Sequence, residues 1–282
     1  MNMRLIRLCI AILFILMLES SVDSEVGFYH FDTRTAEKLM FSAVNRIRLS
    51  NSLPILRRDE KLEKAARIHA SDMVSRNFFD HINPDGEGPR ERALSLGLPY
   101  PVSENLGVLS SYGLTLEEVV DELMYSLMES PKHRSNILSP CITDIGISFA
   151  QDKDNNTSFI KLEKIGSSHL GFGTVVICQE FMRKGLKSYD PDPFPKDIKK
   201  DQSIVFNAQT YRDFDTVFIE IVEKQNGKSI EINELVLFER TFQERLNFSQ
   251  SGDFHLKISG NLYNDNNQFI NEELATFPIH VD

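Results

Sequence analysis

Clustered positive charge is missing from this chain. Its 282 residues carry 31 Lys and Arg against 41 Asp and Glu, a formal charge of −10, with no long basic run. Nucleic acid is therefore not an expected partner, because counterion release needs cations held close together. An anionic membrane surface is disfavoured on the same ground. Cysteine is scarce, with three in the whole chain, so a disulfide-dense scaffold is excluded. No HExxH appears, which removes the usual metalloprotease arrangement of two ligands and a base on one helix. No GxSxG appears either, which removes the nucleophile elbow of the α/β-hydrolases. Repeats and low-complexity tracts are also absent. The charged fraction of 26 % and hydrophobic fraction of 41 % are those of a soluble globular protein.

The apolar run "LCIAILFILML" has eleven residues, well short of the ~20 that span a bilayer. It follows "MNMRLIR" and precedes the small, polar "ESSVDS", the three-part pattern of a secretory signal peptide. Residues 1–24 are thus expected to be a signal peptide cleaved after Ser24, with retention as an uncleaved anchor the alternative. The mature form is expected to be secreted, periplasmic or at the cell surface, and not to span the membrane. Cleavage removes Cys9 and leaves Cys141 and Cys178, for which one connectivity exists. An oxidising compartment permits that disulfide; two buried free thiols are the alternative.

Length suggests about two domains. Residues 34–76 read as two helices. Leu39, Ala43, Val44 and Ile47 share one stripe, and Leu62, Ala65, Ala66, Ala70 and Met73 share another, with Asp59 as N-cap. "NFFDHINPDGEGPR" reads as a loop, and "RERALSLG" as a short helix ending at Gly97. Thr115 and Glu118 form a capping box before "LEEVVDELMYSLME". "ITDIGISFA" and "GTVVICQEF" read as strands; paired antiparallel, they are expected to bring Cys141 near Cys178. A further strand is expected between them. "KSYDPDPFPKDIKKDQ" reads as a linker. Beyond it, the alternation of Val217, Ile219 and Ile221 and of Phe254, Leu256 and Ile258 suggests a small β-sandwich. The sequons at Asn155 and Asn247 read as chance matches.

Four stretches stand in a telling order: "ARIHASDMVSRNFFDHINPDG", "SENLG", "SPKHRSNIL", and "IGISFA" with "VVICQEF". This ordered set resembles the CAP superfamily of cysteine-rich secretory, antigen 5 and pathogenesis-related 1 proteins, in its bacterial SCP-like form. The resemblance covers residues 38–182 or so. It implies an α-β-α sandwich CAP domain, taken over 34–185. The C-terminal region falls outside the resemblance, and its own residue pattern gives a linker over 186–202 and a small all-β, immunoglobulin-like sandwich over 203–282. The chain as a whole is thus expected to be α+β.

The resemblance also implies a cleft. Its first histidine corresponds to His81, its first glutamate to Glu104 in Ser103-Glu104-Asn105, and its last histidine to His133. Where eukaryotic relatives have a second glutamate, this chain has Ser130. Ser130-Pro131-Lys132-His133 reads as N-cap, N1, N2 and N3 of a helix, so Ser130 is expected to cap. The first turn of a helix disfavours imidazolium at His133, and neutral imidazole is the form that ligates metal. His81, Glu104, His133, Ser130 and Asn105 are the expected cleft residues. His81 and His133 are candidate ligands for Zn2+ or another divalent cation, although zinc ordinarily takes three or four protein ligands. A hydrogen-bonded network of the two imidazoles and Glu104 is the other reading of the same residues. His69 is expected to be a packed helix residue.

On function, the resemblance implies a non-catalytic extracellular binding module whose ligand is a metal, a lipid or sterol, or a protein. A metal-assisted hydrolase with Glu104 as base and a purely structural surface protein are the alternatives.

Overall fold

The computed structural model describes residues 32–111, 113–152, 173–263 and 268–282. The expected signal peptide at 1–24, the strand expected between 153 and 172, and Asn155 lie outside the described residues. No helix among the described residues is long and apolar enough to cross a membrane.

The first half is built from α1 (Thr33–Ser50), β1 (Arg57–Arg58), α2 (Glu60–Arg76), α3 (Pro89–Ser95), β2 (Val102–Ser110), α4 (Leu116–Glu129), α5 (Pro131–Ile137), β3 (Asp144–Gln151) and β4 (Thr174–Met182). Local chemistry sets the helix ends. Asp59 accepts from Lys61 and Leu62 backbone N–H, and Asn77 closes α2 in the left-handed region. Thr115 and Glu118 form the capping box of α4. The strands form one sheet in the order β1-β3-β4-β2, so β2 is an edge.

Helices cover both faces of that sheet. The stripe of α2 (Ala66, Ala70, Met73) packs on Leu106, Val176 and Cys178. On the other face α1 and α4 bury Met40, Val44, Leu123 and Leu127 against Ile145, Ile147 and Ile177. Gly146 allows the close approach of α2, since a Cβ there would lie 2.3 Å from the Leu62 carbonyl carbon. Arg48 fastens α1 to the end of α5 by donating to the Ile137 and Ser139 carbonyls at 2.7 and 2.9 Å.

The second half is all β: β5 (Leu186–Asp190), β6 (Asp197–Ile198), β7 (Ser203–Thr210), β8 (Thr216–Glu223), β9 (Ser229–Leu235), β10 (Thr241–Asn247), β11 (Gly252–Tyr263) and β12 (Phe269–Val281). One sheet runs β10-β7-β5 and the other β6-β12-β11-β8-β9. Alternation places Val217, Ile219, Ile221, Leu256 and Ile258 in a common core with Phe206 and Phe242 of the other sheet. The sequon at Asn247 is exposed on β10.

Two expectations are corrected here. Residues 186–202 are not a linker: β5 pairs with β7 and β6 pairs with β12, so the prolines sit in the turn between two sheet strands. The core of the second half also takes in Ala93, Leu98, Tyr100 and Met182 from the first. Thr276 N–H donates to the Pro99 carbonyl at 2.6 Å across that junction. The disulfide is likewise absent, with Cys141 an exposed thiol and Cys178 a buried one. The strands do pair antiparallel, but Cys178 lies in mid-strand opposite Ser148. Ser148 is roughly 20 Å of strand beyond Cys141, whereas a disulfide needs Cα atoms within about 7 Å.

Candidate functional site

The site forms around Glu104 on the edge strand β2. Because side chains alternate along a strand, Glu104 faces α2 while its neighbour Asn105 faces α5. His81 arrives from the Glu104 side, on the loop after α2. That loop is fixed by its own bonds: Asn83 Oδ1 accepts from Asp85 and Glu87 N–H at 3.1 and 2.9 Å. His69 is fully buried in α2, and its Nε2 lies 2.9 Å from the Asp80 carbonyl. A carbonyl only accepts, so His69 Nε2 carries the proton. Its place is the packed one that the helix pattern predicts.

His81 Nδ1 lies 2.7 Å from Glu104 Oε1. The ionised carboxylate accepts there, which leaves His81 Nε2 open on a half-exposed ring. Glu104 Oε2 accepts from Arg92 Nη2 at 2.5 Å and lies 3.3 Å from Cys178 Sγ. Arg92, buried on α3, also donates through Nη1 to the His81 and Glu87 carbonyls, each at 3.0 Å. One guanidinium therefore holds both the histidine loop and the carboxylate that orients the histidine.

Glu180 stands directly across the ladder from Glu104, with its Oε1 3.5 Å from Arg92 Nη2. Burial, then the negative charge of Glu104, pushes its carboxyl well above the usual range. Burial also pushes Glu104 up, but the His81 hydrogen bond and the Arg92 charge outweigh it and hold Glu104 below its ordinary value. The cluster thus carries one carboxylate, one neutral acid and one guanidinium. Glu104, Cys178 and Glu180 bring donor atoms within 4.8 Å of one another, and Arg92 is the cation already seated among them.

His133 comes from the opposite face, at the third position of α5. The helix is tied to β2 from below: Asn105 Nδ2 donates to the His133 carbonyl at 3.1 Å, and Asn136 Nδ2 to Asn105 Oδ1 at 2.8 Å. Asn105 is fully buried, so it positions the His133 helix and does not line the cleft. Ser130 occupies the N-cap position, but its hydroxyl makes no capping bond; Pro131 at N1 sets the turn without it. Burial, and then the charge of His81, lower the His133 pKa. The hydrogen bond to Glu104 raises that of His81. The two imidazoles flank the edge strand β2 near enough for the charge of His81 to act on His133, and they lean in opposite protonation directions. Among the described residues, the groups of three or more converging metal donors include neither of them.

Arg92 and Glu180 escape the sequence reading, and Cys178 enters it only as half of the expected disulfide. An acid two residues from a cysteine in the otherwise apolar "VVICQEF" is the signal that could have found Cys178 and Glu180, since i and i+2 share a strand face; no such signal marks Arg92.

Comparison with known proteins matches residues 41–179 to the model of the CAP family, described as the cysteine-rich secretory protein family. The Bacillus subtilis protein YkwD is 32% identical over 133 residues, 47% of this chain and 46% of that protein. The chain thus spans about half the length of this relative. Among solved structures, an extracellular protein containing a SCP domain from Bacillus anthracis is 21% identical, with 54% of this chain and 41% of that chain covered and a TM-score of 0.40. An outer surface protein from Borrelia burgdorferi is 20% identical over 56% of this chain and 100% of its own, with a TM-score of 0.42.

Proposed function

From the premise that residues 41–179 are a CAP domain, we propose that the chain is an exported, non-catalytic binding module whose cleft takes its ligand on His81 and His133. The observation that carries this reading is the internal use of Glu104. Both of its oxygens are spent on neighbours, Oε1 on His81 and Oε2 on Arg92. It therefore orients an imidazole and is not free as a base, which disfavours the hydrolase reading. The apolar segment near the N-terminus supports export, and the C-terminal half acts as a small immunoglobulin-like module beside the cleft.

A divalent cation such as zinc fits this donor set in one respect. A histidine whose Nδ1–H is held by a carboxylate is the usual arrangement behind a metal-bound Nε2, and His133 is held towards its neutral, ligating form. His81 and His133 would hold the ion, which would supply a Lewis-acidic docking point for a ligand donor atom.

Imidazole NMR of the full chain tests the reading. His81 is expected to titrate above, and His133 below, their ordinary value of 6.5. His81→Ala is expected to raise the His133 value by removing a neighbouring cation. Zinc chloride added at pH 7 should shift the His81 and His133 signals together and leave those of the buried His69 in place. Zinc that moves neither signal removes the metal reading, and unshifted midpoints remove the shared site itself.

A further inference from the structure

On the outer face of the sheet β10-β7-β5 lies an open groove of about 630 Å³, within the roughly 300–1,000 Å³ that small-molecule sites occupy. Ser188, Asn207, Gln209, Thr241, Gln243 and Phe238 line it. It lies in the C-terminal half, and none of its lining residues belongs to the His81 and His133 cleft.

The residues of β7 alternate strictly. Phe206, Ala208 and Thr210 are buried, and Asn207 and Gln209 between them are half-buried on the groove side. The amides of Asn207, Gln209 and Gln243 make no hydrogen bond among the described residues. Each offers two donors and an acceptor, held in place by a strand and left unused by the fold.

Phe238 stands beside them and is 76% exposed. Its backbone is held firmly. Phe238 and Thr241 exchange backbone bonds of 2.9 and 2.8 Å across a tight turn. Arg240 in that turn makes a two-bond pair with Asp213 at 2.9 and 2.8 Å. The turn places Glu239 and Arg240 at φ of 48° and 65°, a conformation that side-chain-bearing residues adopt at a cost. The fold therefore fixes the backbone that carries an uncovered aromatic side chain beside a groove floored by amides with no hydrogen bond among the described residues.

We infer that this groove binds a neutral oligosaccharide. A pyranose presents hydroxyls that each need a donor and an acceptor, which paired amides and hydroxyls supply. It also presents an apolar C–H face, which lies on an aromatic ring. The groove offers both within one surface. Its lining holds no cation, and Asp190 at its margin opposes an anionic ligand. A purely apolar ligand would leave the amides desolvated and unpaired.

The test uses the full chain with maltotetraose, cellotetraose, mannotetraose and chitotetraose in separate calorimetric titrations. At least one is expected to bind with a submillimolar Kd. Phe238→Ala should weaken it about tenfold or more, and the double change Asn207→Ala and Gln209→Ala should bring it below detection. Ile232→Ser, exposed on the edge strand β9 outside the groove, should leave it unchanged. Phe238 and Ile232 are exposed, and Asn207 and Gln209 are half-buried with side chains that make no hydrogen bond among the described residues, so the variants are expected to keep the wild-type melting temperature. Absence of binding to all four sugars overturns the proposal. So does binding that the Phe238 and double variants retain in full.

Discussion

Replacing Arg92 with alanine is expected to cost about 3–5 kcal/mol, the usual penalty for removing one partner of a buried ion pair. Arg92 is 4% exposed, Glu104 7% and Glu180 0%, so no water can take over the guanidinium's role without opening the site. The change also frees the His81 and Glu87 carbonyls, and the loop carrying His81 should loosen with it. The sign of the pH dependence follows from Glu104. Its folded pKa is held below the ordinary 4.5 by the His81 hydrogen bond and Arg92, which together outweigh burial. Its contribution is therefore present above about 4.5 and lost as pH falls through the lower folded value. The penalty for Arg92→Ala should be full at pH 7 and shrink at acid pH, where both carboxyls are protonated. Urea denaturation of wild type and variant at the two pH values measures it. A variant within 1 kcal/mol of wild type at pH 7 would show that the cluster does not depend on its cation.

Ending the chain after Gly185 is expected to leave the first half unable to fold. Leu98, Tyr100 and Met182 are 4%, 7% and 0% exposed because the second half covers them. Solvating Leu98 and Met182 alone forfeits roughly 3–6 kcal/mol at 1.5–3 kcal/mol per large apolar side chain. Tyr100 and the lost contact between Gly185 and the Leu274 backbone add to that. A domain holds only about 5–15 kcal/mol in all. The junction also includes Ala93, next to Arg92 on α3, so the site would suffer first. Near-ultraviolet circular dichroism of the truncated chain is the readout. A cooperative melting transition close to that of the full chain would contradict the shared core.

Helices and strands with strong periodicity were legible from residues alone. The α2 stripe, the Asp59 and Thr115 caps, and the inward faces of β8 and β11 all follow from local pattern. What escaped depends on pairing at a distance. Residues 186–202 read as linker because Pro191, Pro193 and Pro195 dominate the composition, while the strand partners of β5 and β6 lie well beyond them in sequence. Cys178 was placed near Cys141 because the sequence pattern does not fix register, and register separates them. Within the site, His81, Glu104 and His133 came from motif order. Arg92 and Glu180 required the sheet, since only the β2–β4 ladder sets two acids side by side and asks for a cation between them. The role of Asn105 changed for the same reason: adjacent to Glu104 in sequence, it faces the other side of β2.

The proposed cleft holds a divalent cation on His81 and His133 at the β2 edge, with Glu104 spent on orienting His81. Calorimetric titration of zinc into the full chain, beside His81→Ala and His133→Ala, tests it most directly. One site per chain is expected in wild type and no measurable site in either variant, with melting temperatures close to wild type. Zinc binding that survives in both variants, or none in the folded wild type, would contradict the metal site on these two imidazoles.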